Sequence, residues 1–387
     1  MSWKEHFSRF VGAEPKRLHL AAHSHHPWPD VSFEAQQQAW LDAAAWMDQK
    51  WDRIFDEVIP EAQRHVAMVL GLPDPTTIAF APNTHELVMR LLSTLPRPTR
   101  ILTTDSEFHS FARQASRLEE QGLATVTRIP LEPLGSFPDR FARVAAAAGH
   151  NLVYLSHVAY DSGYVVPHLA RIVGAVPDPS TAVVIDGYHG FMALPTDLGP
   201  MAGRAFYTAG GYKYAMAGEG ACHLHCPPGY AERPVDTGWL AGFGVLEEGT
   251  GGEVSYPPDG ARFLGATFDP TGLYRFNAVQ RWLAALGSDV AMIHDHVVSI
   301  QEALLDRLTT RPIAGLDLGT LLPDRSVPER GHFLTFSTQH ATAIQRRLLD
   351  HRVIVDARGD RIRIGLGIYH DPDEVELIHQ RLAAALD

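Results

Sequence analysis

From Thr77 onward, short apolar runs alternate with stretches of helical periodicity. Ile78-Ala79-Phe80, Arg100-Ile101-Leu102, Thr125-Val126-Thr127, Leu152-Val153-Tyr154-Leu155 and Ala182-Val183-Val184-Ile185 are separated by amphipathic segments at 86–95, 111–121 and 169–176. Runs that are apolar on both faces predict strands buried from both sides. Repeated strand-then-helix units predict a mostly parallel α/β sheet, with the ligand site at the carboxyl ends of its strands. Asp186 directly follows Val183-Val184-Ile185 and stands at such an end. Ahead of this region, 31–70 is predicted to be helical. It carries Trp40 and Trp51 with Ala43, Ala44, Met47 and Ile54 on a face expected to pack in a core or an interface. Gly249-Thr250-Gly251-Gly252 and Tyr256-Pro257-Pro258-Asp259 read as a loop into a second unit. There a helix over 271–286 precedes Phe333-Leu334-Thr335-Phe336, Val353-Ile354-Val355 and Arg361-Ile362-Arg363-Ile364, which suggests a smaller α+β domain. The expected division is an arm over 1–30, a large domain over 31–255 and a small domain over 256–387.

Composition narrows the partner. With 387 residues, 45% hydrophobic and 20% charged, the chain is long enough for about two or three packed domains. A net charge of −12 without a clustered basic stripe argues against nucleic acid. No run approaches the ~20 apolar residues of a membrane span, and the first residues lack a signal-peptide pattern. The only two cysteines, Cys222 and Cys226, make no disulfide framework. These features predict a cytoplasmic protein with a small-molecule partner and no membrane or nucleic-acid partner.

The segment richest in chemistry is Asp186-Gly187-Tyr188-His189-Gly190, followed by Gly210-Gly211-Tyr212-Lys213-Tyr214. A strand-end carboxylate followed by a lysine among glycines suits an aldehyde cofactor with a protonated ring nitrogen. Lys213 would form the Schiff base and Asp186 would hold the ring proton. Taken singly, the lysine also reads as a solvated charge and the aspartate as a helix cap. Pro82-Asn83-Thr84-His85-Glu86 opens a helix after a strand, so its amides and the Thr84 hydroxyl suit either a phosphate or an ordinary N-cap.

With these motifs the chain resembles pyridoxal-phosphate enzymes of fold type I, in the class V aminotransferase group, and within that group kynureninase most. The resemblance spans nearly the whole chain and implies a large cofactor-binding domain with a mostly parallel sheet plus a smaller α+β C-terminal domain. Asp186 and His189 match the family's Asp-x-x-His, and Tyr212-Lys213-Tyr214 matches its Tyr-Lys-Tyr. The resemblance implies that Lys213 and Asp186 are catalytic, that Thr84, His85 and Tyr212 hold the phosphate, and that His189 and Ser156 contact the cofactor. Phe108 or His109 would stack on its ring. Ser156 to Gly163 matches a loop that also carries Tyr160 as a substrate contact, and Arg363 matches the clamp for a substrate α-carboxylate, a task suited to a planar guanidinium. Arg358 and Arg361 read as surface charges.

The loop at Gly238-Trp239 and the Thr267 position resemble elements that reach a neighbouring subunit's cofactor, which implies a homodimer with shared sites. His23-Ser24-His25-His26 falls on the segment lining the substrate entrance. His25 and His26 have no counterparts there and are candidates for substrate choice. Three histidines so close also suit zinc, but no carboxylate or cysteine at motif spacing completes a metal site. Phe111, Asp161 and Phe243 depart from the kynureninase pattern, and the cysteines are not on the loop used by cysteine desulfurases. The implied reaction is hydrolysis of a Cβ–Cγ bond of an amino acid to alanine and an aryl acid. The alternative is an aminotransferase or a related lyase on another amino acid.

Overall fold

The computed structural model describes residues 2–243 and 252–386. An N-terminal arm carries helix α1 (Ser8–Ala13) and strand β1 (Leu18–His19), followed by helices α2 (Val31–Trp46), α3 (Lys50–Arg53) and α4 (Ile59–Leu70). Next come β2 (Ile78–Ala81), α5 (Thr84–Ser93), β3 (Thr99–Thr104), α6 (His109–Glu120), β4 (Ala124–Ile129) and α7 (Phe137–Ala145). They are followed by β5 (Leu152–Ser156), α8 (Leu169–Ala175), β6 (Ala182–Asp186), β7 (Ala205–Gly210) and β8 (Cys222–His225). The C-terminal part holds α9 (Thr271–Ala285), α10 (Val290–Thr310), β9 (Leu321–Leu322), β10 (Phe333–Ser337) and α11 (Ala341–Asp350). It ends with β11 (Val353–Ile354), β12 (Asp356–Arg358), β13 (Arg361–Gly365) and α12 (Val375–Leu386).

Strands β2 to β8 form one seven-stranded sheet in the order β2-β8-β7-β6-β5-β3-β4. Only β8 runs antiparallel to its neighbours, so the carboxyl ends of β2, β3, β5, β6 and β7 share one edge. The mostly parallel α/β sheet expected from the apolar runs is therefore present. Strands β5 and β7 are buried at every residue, as helices on both faces require. β7 and α7 are the elements that the apolar pattern did not single out.

The helical stretch over 31–70 is interrupted. α2 ends where Met47 takes a left-handed φ of 51°, and a π-helical turn at Ile54–Val58 precedes α4. Trp40, 71% exposed, and Met47, 73% exposed, do not pack in this chain's core, so of the two expected roles only an interface fits them, and the buried face of α2 is Ser32, Ala35 and Asp42. Asp42 explains the choice of face. It accepts hydrogen bonds from Gln38 at 2.6 Å and Tyr274 at 2.9 Å and pairs with Arg53 at 3.0 Å, which a buried carboxylate needs.

Two apolar cores organise the molecule. The first surrounds the large sheet and includes Phe263, Leu273, Phe276 and Val279, so α9 packs with the large sheet rather than with the C-terminal unit in which the expected boundary at 256 places it. The second core takes α10 from Val297 onward, the four-stranded sheet β12-β13-β10-β9, and Leu20 from the arm. The arm is tied to this unit by the parallel pairing of β1 with β11. Gly249, Thr250 and Gly251 of the proposed linker, and Gly244, lie outside the described residues.

The turn after β6 admits only glycine. A Cβ on Gly187 would lie 1.9 Å from the Tyr207 ring. Gly187→Ala is expected to lower stability by about 1–3 kcal/mol, the usual range for an overpacked interior. The shift in the urea unfolding midpoint measures it.

Candidate active site

The shared carboxyl edge of the large sheet opens into a cavity of about 640 Å³, closed on its far side by the arm and by β12 and β13. Each adjacent strand delivers a polar group to it. Asn83 and Thr84 follow β2, Phe108 follows β3, Ser156 ends β5, Asp186 ends β6, and Tyr212-Lys213 follow β7.

Lys213 and Asp186 meet in this cavity, as their order along the chain suggested. Asp186 Oδ2 accepts from the Tyr154 hydroxyl at 2.9 Å and Oδ1 from the Tyr188 amide at 3.0 Å. Burial raises its pKa, opposed by those hydrogen bonds and by the charge of Lys213. Lys213 Nζ lies 2.5 Å from His189 Nε2. Burial lowers the lysine pKa to about 7, against the attraction of Asp186 and helped by the charge of Arg363. His189 is held neutral by burial and by the charges of Lys213 and Arg363. The ring faces of Tyr188 and Phe108 flank the amine, at 4.8 Å and 5.4 Å from their centroids.

Thr84 and His85, in the first turn of α5, line the cavity, with Asn83 capping the helix by accepting from the Glu86 amide at 2.9 Å. Of the two aromatic candidates, Phe108 lines the cavity, whereas His109 is exposed beside it and rests on Tyr160 at 5.2 Å. Ser156 also lines the cavity, but its hydroxyl is 2.6 Å from Glu107 Oε2.

Glu107 had no sequence signal beyond its place after a strand. It is buried, accepts from Thr104 Oγ1 at 2.7 Å and from the Ser156 amide at 3.2 Å, and its pKa is pushed up to about 7 by burial, with Asp186 adding to the effect. Phe111, standing where kynureninases carry aspartate, stacks on Tyr154 with ring centroids 3.6 Å apart. Asp161, another departure, accepts from the Ser106 hydroxyl at 2.7 Å.

On the far wall, Arg363 is buried and bonded to Asp356 and to the carbonyl of Tyr160, leaving its Nε without a partner. Tyr160 lines the cavity beside it. Arg358 is 47% exposed, as expected of a surface charge, and also borders the cavity from β12, whereas Arg361 does not line it.

The three histidines of the arm diverge. His23 is fully buried in the cavity wall, stacked on Phe333 at 4.6 Å, with both ring nitrogens unpartnered. His25 lies behind the cavity against Tyr212, and His26 is packed in the core against Tyr369, bonded to the Pro27 carbonyl at 2.7 Å. The backbone turns here, the Ser24 and His25 amides both donating to the Ala21 carbonyl, and neither His25 nor His26 lines the cavity, which corrects their expected role in substrate choice. Thr267 lies on the surface away from the cavity, accepting from the Trp239 indole at 3.1 Å.

Residues 44–378 match the aminotransferase class-V family. The chain belongs to that family. Its relatives include isopenicillin N epimerase of Streptomyces clavuligerus, 26% identical with 100% of this chain and 98% of that protein covered. A probable cysteine desulfurase of Vibrio cholerae is 23% identical, covering 84% and 82%. Among solved structures, the cystine C-S lyase C-DES in a variant with glycine covalently linked to its PLP cofactor superposes with a TM-score of 0.81 at 20% identity, covering 99% of each chain. The cysteine desulfurase of Thermococcus onnurineus gives 0.80 at 16% identity, covering 100% of this chain and 98% of that one. The fold is that of fold type I PLP-dependent transferases, and the family's cofactor is pyridoxal phosphate. The likeness to kynureninase in particular has no counterpart among these relatives.

The site suits that cofactor on structural grounds. A lysine amine with a lowered pKa, a carboxylate opposite it, an aromatic ring face and a free helix N-terminus bound one cavity, and buried donors on the wall lack partners.

The raised pKa of Glu107 makes a pH prediction. Its folded value of about 7 exceeds the ordinary 4.5, so the folded state holds this proton more tightly. The group's contribution to stability is full below about 4.5 and is lost as pH rises through about 7. Glu107→Gln is therefore expected to gain stability over the wild type progressively from pH 5 to pH 7.5, as measured by urea denaturation across that range.

Proposed function

We propose that this chain is a pyridoxal-phosphate enzyme acting at Cα of a free amino acid, with an aminotransferase or lyase outcome. The observation that carries the reading is Lys213. Its amine lies in the same cavity as Asp186 and Arg363, with a pKa near 7 and a neutral imidazole 2.5 Å away. An amine so tuned is free to accept a proton at neutral pH. When bound, the cofactor supplies an electron sink for the pair left at Cα.

The chain's own groups do the rest. Thr84, His85 and Tyr212 would hold the phosphate, Phe108 would contact the ring, and Asp186 would hold the proton on the ring nitrogen. Ser156, braced by Glu107, and His189 complete the cofactor contacts. Lys213 provides the covalent attachment and then takes the α-proton and returns it. Arg363 receives the substrate carboxylate, with Tyr160 beside it. His189, being neutral, holds the lysine in place without adding a charge that would depress its pKa further.

Two finer outcomes are less well supported. Cys222 and Cys226 are buried, their pKa values pushed up by burial to about 11 and about 12, and neither lines the cavity, which disfavours sulfur transfer through a protein cysteine. Kynureninase-type hydrolysis loses the aspartate that Phe111 replaces.

The test is spectroscopic and chemical. Added pyridoxal phosphate is expected to give a visible absorption band that shifts with amino acids, and the protein should exchange their Cα–H in D2O. Lys213→Ala is expected to slow that exchange by about 100- to 10,000-fold. A protein that takes up no cofactor would overturn the reading, while catalytic release of alanine and an aryl acid from L-kynurenine would restore the hydrolase.

We also infer a homodimer with shared sites. The support is an exposed aromatic surface around Thr267: Trp239, Phe243 stacked on Phe55 at 4.4 Å, Trp46 and Trp40. Light scattering is expected to give about twice the 42.6 kDa chain mass, reduced to one chain by Phe243→Asp. The same mass for both proteins would remove this surface from the interface.

A further inference from the structure

The far wall of the cavity sets two guanidinium groups around a single carboxylate, Asp356. Among its lining side chains Lys213, Arg358 and Arg363 are cationic and Asp186 is anionic. Arg363 is already bonded to Asp356 and to the Tyr160 carbonyl. Asp356 is paired directly opposite Arg363 in the sheet, and Arg358 follows two residues along the same strand, on the same face. The two arginines are thus diagonal neighbours, roughly 7–8 Å apart at the backbone. Arg358 Nε approaches Asp356 Oδ2 only to 3.5 Å and makes no hydrogen bond among the described residues. One carboxylate, Asp356, is therefore shared by two guanidinium groups, with His23 Nε2 at 3.7 Å as a third neighbour. His23 is fully buried on this wall with both ring nitrogens unpartnered, and Arg363 Nε is also unpartnered. A buried donor without an acceptor is costly, and a guanidinium suits a carboxylate by its fork of parallel N–H groups.

We propose that this wall selects an amino acid with an acidic side chain, Arg363 holding its α-carboxylate and Arg358, with His23 beside it, holding the distal carboxylate. The proposal rests on the reading of the site as one that acts at Cα of an amino acid. It makes Arg358 a specificity residue that binds substrate without taking part in proton transfer. A neutral side chain in its place would leave Arg358 and His23 with Asp356, already bonded to Arg363, as their shared anionic neighbour.

The experiment uses the holoenzyme in D2O and follows loss of the Cα–H signal of L-aspartate and L-glutamate against L-asparagine and L-glutamine. The cofactor band reports binding of the same four compounds. At least one acid is expected to exceed its amide by about tenfold to a hundredfold in kcat/KM, the range for a hydrogen bond to a charged group, with most of the difference in KM. Arg358→Gln is expected to bring that acid down to the level of its amide, and Arg358→Lys, which keeps the charge without the fork, to retain part of the preference. Arg363→Gln is expected to slow acids and amides alike. Amides that exchange as well as the acids, or an Arg358→Gln enzyme that still prefers the acid, would overturn the proposal while leaving action at Cα intact. No band shift and no exchange with any of the four or with a wider set of amino acids would instead bring down the reading of the site itself.

Discussion

An amine enclosed among protein groups, with a carboxylate in reach and a neutral imidazole against it, is the constraint on which this molecule turns. Burial alone strips Lys213 of most of its preference for the charged form, and Asp186 returns part of it. The outcome, a lysine poised near neutrality, requires that β6 and β7 be adjacent and parallel, since one ends in Asp186 and the other leads to Lys213. It also requires glycine around the turns. A Cβ on Gly210 would meet Cys222 Sγ at 2.4 Å, and one on Gly211 would meet the Gly218 carbonyl at 2.9 Å, so side chains there would push the lysine loop off the sheet.

The second half of the site comes from elsewhere in the chain. The arm and the C-terminal sheet share a core with each other, joined through β1 and β11 and through Leu20, and together they roof the cavity that the large sheet opens. Gly365 leaves room for the His23 ring, whose Nδ1 would stand 2.0 Å from an added Cβ. α10 runs from one core into the other, Ile293 in the first and Val297 in the second, and so ties the two units together.

Within the family, the chemistry of individual positions separates this chain from both of its suggested neighbours. Its cysteines are buried beside the β8 strand, one against Tyr188, and serve as apolar filling rather than as nucleophiles. Phe111 forms a stacked aromatic pair with Tyr154, the residue that itself donates to Asp186. The pair lines one end of the cavity with aromatic rings, while the opposite wall, with two arginines and an unpartnered histidine, is polar.

The alternation of apolar runs and helical segments determined the sheet, because strands buried on both faces leave few polar positions and the pattern is local. The order of Asp186 and Lys213 likewise located the reactive end of that sheet, since strand ends and the turns after them follow from sequence neighbours alone. Tertiary packing decided the rest. Phe108 and His109 are adjacent in sequence, and only the start of α6 against Tyr160 turns the first into the cavity and the second out. His26 looked like a substrate contact until Tyr369 and Gly367, from the far end of the chain, enclosed it. Arg358 keeps the exposure of a surface charge, and only the pairing of β12 with β13 sets it beside Asp356 at the edge of the cavity. Glu107 gained its raised pKa from burial among distant segments, with the charge of Asp186 adding to it against the hydrogen bonds from Ser156 and Thr104. Each of these depends on which side chains from distant segments exclude water around a given group, and no local pattern of residues encodes that.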